Sequence, residues 1–192
     1  MKFKSIITSL ICFSMILSCD VLSNVASFVN CKYAFSGFTN PSVAGISLNN
    51  VSNVNNLSAA SLLKLTAGIV SGSLPLSATM NINVENPNAT MAQIAGLEWA
   101  IDMDKANILS GMVNQTVTVP ANGGQTSIPF VVQTDLLQLF AGESKDNILG
   151  FVNGLLNVGE SSSNISLRIR PTVMVAGQKI STGFITLSKS LN

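Results

Sequence analysis

From Leu76 the chain alternates for ten residues, with Leu76, Ala78, Met80, Ile82 and Val84 on one side and Ser77, Thr79, Asn81, Asn83 and Glu85 on the other. A period of two marks a strand with one buried face, because successive side chains point to opposite sides of a sheet. A second run interleaves Leu97, Trp99, Ile101 and Met103 with Glu98, Ala100, Asp102 and Asp104, and puts the only tryptophan on the core side. Val113 to Val119, Thr126 to Val132, Ile165 to Val175 and Gln178 to Leu187 continue the series. Between them lie the turn formers Asn86-Pro87-Asn88, Asp104-Lys105-Ala106-Asn107, Ala121-Asn122-Gly123-Gly124 and Ala176-Gly177-Gln178. One-sided alternation with short connections predicts a mainly β protein of antiparallel sheets packed face to face, a sandwich.

Three stretches follow a helical period instead. Ile148, Phe151, Val152, Leu155 and Leu156 recur at helical spacing behind Asp146, which reads as an N-cap. Thr134-Asp135 opens a shorter helix through Leu136, Leu137, Leu139 and Phe140. Together these predict a helical insertion over 134–157 that caps one end of the sandwich. Leu57 to Val70 is a third candidate, weakened by Gly68 and Gly72.

The N-terminus has the three parts of a secretory signal: Lys2 and Lys4, an apolar stretch from Ser5 to Ile16, and a boundary at Leu17-Ser18. That stretch is shorter than the roughly 20 apolar residues a spanning helix needs. Ile16-Leu17-Ser18-Cys19 resembles the lipobox of bacterial lipoproteins, which implies diacylglycerol on the Cys19 thiol and cleavage just before it. Several acyl chains on one residue anchor stably where one chain binds only reversibly. The expected organisation is a signal peptide over 1–18, a lipid anchor and spacer over 19–41, and one domain over 42–192. Gly37, Asn40 and Pro41 are read as a turn ahead of the first strand. Cys12 leaves with the signal and Cys19 carries lipid, so Cys31 has no disulfide partner within the chain; a buried thiol is the default reading, beside a free thiol or an intermolecular linkage.

Loss of Lys2 and Lys4 leaves 8 of the 10 Lys and Arg against 9 Asp and Glu, a formal net charge of −1. With 10% charged residues there is no basic surface to follow phosphates, which disfavours nucleic acid as a partner. The chain contains no histidine, and this removes Ser-His-Asp and Cys-His catalysis and most zinc sites. Ser61-Leu62-Leu63-Lys64 and Ser162-Ser163-Asn164 match elements of penicillin-recognising enzymes, but no Lys-Thr-Gly follows and matches this short arise by chance. Glu98, Asp102 and Asp104 share one strand face and are read as a solvated polar face rather than a hydrolytic pair or calcium site; Arg168 and Arg170 are placed to pair with them. No catalytic residue, metal or cofactor is assigned.

Met80-Asn81-Ile82-Asn83-Val84-Glu85-Asn86-Pro87-Asn88 resembles a strand ending of the late-embryogenesis-abundant type 2 family, the water-stress and hypersensitive-response domain. The family's order continues with an amphipathic strand (Ile94 to Met103), a small residue and glycine (Ser110-Gly111), a strand ending like Val119-Pro120-Ala121-Asn122-Gly123, and a strand like Thr126 to Val132. The resemblance implies an immunoglobulin- or fibronectin-III-like sandwich without enzymatic activity, linked to stress protection. Asn86, Pro87, Asn88, Gly111 and Pro120 are its structural positions, and Thr134 to Asn157 departs from it. The expectation is a bacterial envelope lipoprotein that shields or binds envelope components under drying or osmotic stress. The alternative is a carrier of a small apolar or lipid ligand, held between the sandwich and the 134–157 helix, which requires an unfilled apolar void there.

Overall fold

β3 (Pro75–Asn86) is the spine of the protein. In the computed structural model, which describes residues 30–157, 165–175 and 177–187, it pairs antiparallel with β1 (Lys32–Val43) on one side and β8 (Gly124–Asp135) on the other. The short β2 (Ile46–Ser47) completes this sheet in the order β2-β1-β3-β8. The second sheet holds β9 (Ile165–Val175), β5 (Gly96–Met103) and β6 (Ala106–Val113), with β10 (Gln178–Ser181) and β11 (Ile185–Thr186) both on the outer side of β9. β4 (Ala92–Ile94) and β7 (Val117–Val119) form a separate two-stranded ladder. The architecture is the antiparallel, mainly β sandwich that the alternation predicts.

The alternating residues meet in the middle as expected. Met80, Ile82 and Val84 of β3, Ile128 of β8, and Leu97, Ile101, Leu167 and Ile169 of the second sheet are at most 2% exposed and belong to one continuous core. Trp99 stacks on Phe130 across the two sheets, ring centres 5.6 Å apart. Gly111 lies opposite Trp99 on β6, and a Cβ there would come within 2.5 Å of the indole. The glycine therefore leaves the room in which the only tryptophan packs.

Several boundaries differ from the sequence reading. Lys32–Val43 is a full strand of the first sheet, so the folded part reaches ten residues into the stretch assigned to the spacer. Gly37 and Asn40 do have positive φ, 116° and 52°, but they mark register shifts within β1 rather than a turn before it. β6 was hidden because it is an edge strand whose residues are exposed or half-buried, so no apolar alternation marks it. Gln178 to Leu187 is two short strands, not one.

Among the described residues, three α-helices lie outside the ladders: α1 (Ala59–Ser71), α2 (Leu136–Leu139) and α3 (Lys145–Leu156). The insertion after β8 is thus two helices with a turn between them, and β8 itself runs on through Asp135. Ser144, not Asp146, caps α3, accepting from the Asn147 N–H, and Asp146 instead adds negative charge to the first turn. α1 forms despite its glycines. Ser58 caps its start, Gly72 ends it at φ 78°, and Gly68 sits where a Cβ would be 3.0 Å from the Ser73 carbonyl oxygen and 3.1 Å from the Leu74 side chain. Gly68 is there for close approach to the chain that follows the helix.

Candidate functional site

At one end of the sandwich, Asn86 closes the structure by hydrogen bonding. It is fully buried, and its Nδ2 donates to the carbonyls of Thr90 at 2.8 Å and Val119 at 3.2 Å. Its Oδ1 accepts from the Asn88 backbone N–H at 3.1 Å and from Asn88 Nδ2 at 2.7 Å. The Gly123 N–H donates to the Asn86 carbonyl and the Asn122 N–H to that of Asn88, each at 2.7 Å. Pro87, with no N–H, stops the β3 ladder between them. Pro120 packs so closely on Gly124 that a Cβ there would lie 2.6 Å from it. The structure thus gathers Asn86, Pro87, Asn88 and Pro120 in one turn cluster, whereas Gly111 stands apart under Trp99. The buried Asn86 amide is fully used within the turn, while the half-buried Asn88 also accepts on its Oδ1 from Asn30 Nδ2 at 3.5 Å.

The acidic face is also spoken for. Arg168 Nε and Nη2 both donate to the Asp102 carboxylate, the second at 2.8 Å, and Asn107 Nδ2 donates to it at 3.2 Å. Arg170 makes two bonds to Glu98 Oε2, one of them at 3.1 Å, and Phe184 lies 4.9 to 5.0 Å from both guanidinium groups. Asp102 is only 3% exposed, so the expected solvated face is corrected at this residue: Arg168 and Asn107 take the place of its water. The Arg168 hydrogen bonds hold its carboxyl below the usual value against the opposing effect of burial. The expected pairing of the arginines with these acids is present. Among the described residues, no three His, Cys, Asp or Glu side chains come together as a metal site. Ser61 contributes its N–H to the capping turn of α1, and its hydroxyl lies 3.0 Å from that of Ser58.

The opposite end is different. α1 and α3 lie over the ends of β1 and β2 and leave a partly enclosed cleft of about 180 Å³. Leu62, Leu65 and Ile69 of α1 form one wall, spaced to share a helix face. Ile148, Leu149 and Val152 of α3 form the other, and Val43, Leu48, Leu57 and Leu74 supply the rest. Thr66 and Lys145 are the only polar residues in the lining. The void expected beside the 134–157 segment is therefore present, but α1 makes half of it and the lining is aliphatic. Phe140 and Phe151 pack on each other, ring centres 5.1 Å apart, and neither lines it. The sequence signal that would have found the α1 wall is the i, i+3, i+7 spacing of Leu62, Leu65 and Ile69.

Ile16, Leu17, Ser18 and Cys19 lie outside the described residues. Cys31 is buried, and burial pushes its thiol up to about 11. No described helix is long and apolar enough to cross a membrane.

No family model matches the chain, and no curated protein matches it. Among solved structures, it is similar to a protein from Archaeoglobus fulgidus at 15% identity and TM-score 0.37, over 62% of this chain and 88% of that one. A structural genomics target matches at 9% identity and TM-score 0.36, over 84% and 88%. A candidate late embryogenesis abundant protein solved in solution matches at 14% identity and TM-score 0.37, over 97% and 86%. Likeness at this level leaves function to be read from the chain's own residues.

Proposed function

We propose that this protein is a bacterial envelope lipoprotein, tethered to a membrane by diacylglycerol on Cys19, whose sandwich domain is a non-catalytic carrier or sensor of a small apolar ligand. The cleft between α1 and α3 carries this reading. Aliphatic side chains around an unfilled space leave dispersion contacts unmade, and an apolar guest supplies them.

A polarity-sensitive apolar dye tests it. Its fluorescence should rise with the native protein and stay near the buffer value with Thr66→Phe, which places a ring in the cleft from an exposed position. An equal rise with both proteins would count against the cleft. For the tether, Cys19→Ser should leave the membrane fraction and lose lipid label.

The second reading is protection of envelope components during drying or osmotic stress. The ordered resemblance through Asn86-Pro87-Asn88, Ser110-Gly111 and Val119-Pro120 favours it. Such a role predicts that the protein preserves a labile enzyme through drying better than an equal mass of inert protein.

A further inference from the structure

The cleft's shape and its single charged residue narrow the class of ligand, an inference that rests on the carrier reading above. Its walls run from Leu62 to Ile69 on α1 and from Lys145 to Val152 on α3, eight residues each, a rise of about 10 Å along each helix. A cavity of about 150 Å³ lined by apolar side chains takes benzene. On that scale, the 180 Å³ here has room for about six to eight carbons, and a slot two helical turns long suits an extended chain better than a ring. A two-chain phospholipid is too large.

Polarity decides the other end. Lys145 is the first residue of α3, is exposed, and makes no ion pair among the described residues. Neither Glu143 nor Asp146 lines the cleft, and the Glu143 carboxylate accepts from Asn147 Nδ2. Thr66, the other polar lining group, donates its hydroxyl hydrogen to the Leu62 carbonyl within its own helix at 3.0 Å. An ammonium at the end of an aliphatic slot matches a chain that ends in an anion.

We infer that the α1–α3 cleft binds a free single-chain alkyl carboxylate of about eight carbons, its tail between Leu65 and Val152 and its carboxylate at Lys145.

The test is calorimetric titration of the full chain in lipid nanodiscs with octanoate and with octanol, empty nanodiscs serving as the reference. Octanoate should bind about fivefold more tightly than octanol, as a charge-assisted contact at a partly exposed site allows. Lys145→Gln should reduce that preference to near unity while leaving octanol affinity unchanged, and Thr66→Phe should abolish binding of both. If octanol and octanoate bind native protein equally and Lys145→Gln changes neither, the carboxylate assignment is overturned and the apolar cleft survives. If neither binds, or Thr66→Phe leaves both intact, the assignment and the carrier reading fall together.

Discussion

The two ends of the sandwich are closed by opposite means. Around Asn86, two carbonyls, a backbone N–H and a side-chain amide converge on one buried side chain, and hydrogen bonds of fixed length draw three chain segments together. Around Leu65, the lid is made of helices that turn aliphatic side chains toward a common cleft between α1 and α3, with no directional bond across it among the described residues. Directional bonds exclude alternatives and leave no room; helix packing tolerates a gap because losing a few dispersion contacts costs little. The end rich in polar residues is therefore held by its own hydrogen bonds, and the apolar end is the one that keeps an open cleft.

The largest effect that would break this contrast is expected at Asn86. Asn86→Ala strands the Thr90 and Val119 carbonyls and the donors of Asn88 in a buried site, and should cost about 3–5 kcal/mol, read from chemical denaturation. A loss below 1 kcal/mol would mean that the turn cluster is not what closes that end.

A smaller loss is expected in the second sheet. Arg168→Met leaves Asp102 buried without its cation and should cost about 3 kcal/mol at neutral pH. Because the folded-state pKa of Asp102 is depressed, its stabilising contribution is fully present above the ordinary aspartate value of 3.8 and is lost as pH falls through the lower folded value. Asp102→Asn should flatten that acid limb of the stability curve, and an unchanged limb would remove Asp102 as its cause.

The smallest loss is expected at the cleft. Leu65→Ala enlarges a space that already exists and should cost about 2 kcal/mol, the low end for a buried leucine. A loss of 4 kcal/mol or more would show the helical end to be as tightly packed as the core.

Much of the sandwich was legible because period-two alternation marks any strand with one buried face, as at Leu76 to Glu85. β6 was not, since an edge strand with two half-exposed faces has no such period. β1 was obscured because Gly37 and Asn40 carry the same residue signature whether they form a turn or interrupt a ladder. At the sites, the pairing of Arg168 and Arg170 with Asp102 and Glu98 follows from facing strands and was readable. The burial of Asp102 was not, because alternation says which side a residue faces and nothing about what covers it.

The order of residues alone was enough for the mainly β class, for the core faces of β3, β5, β8 and β9, and for the lack of any histidine. These depend on local order or composition alone. Only the tertiary structure decided that α1 and α3, some 80 residues apart in the chain, stand side by side and leave a cleft between them. Helical periodicity fixes which face of each helix is apolar. How far apart two such faces come to rest depends on everything packed beneath them, and here that is the aliphatic floor of Val43, Leu48 and Leu74 at the ends of the first sheet.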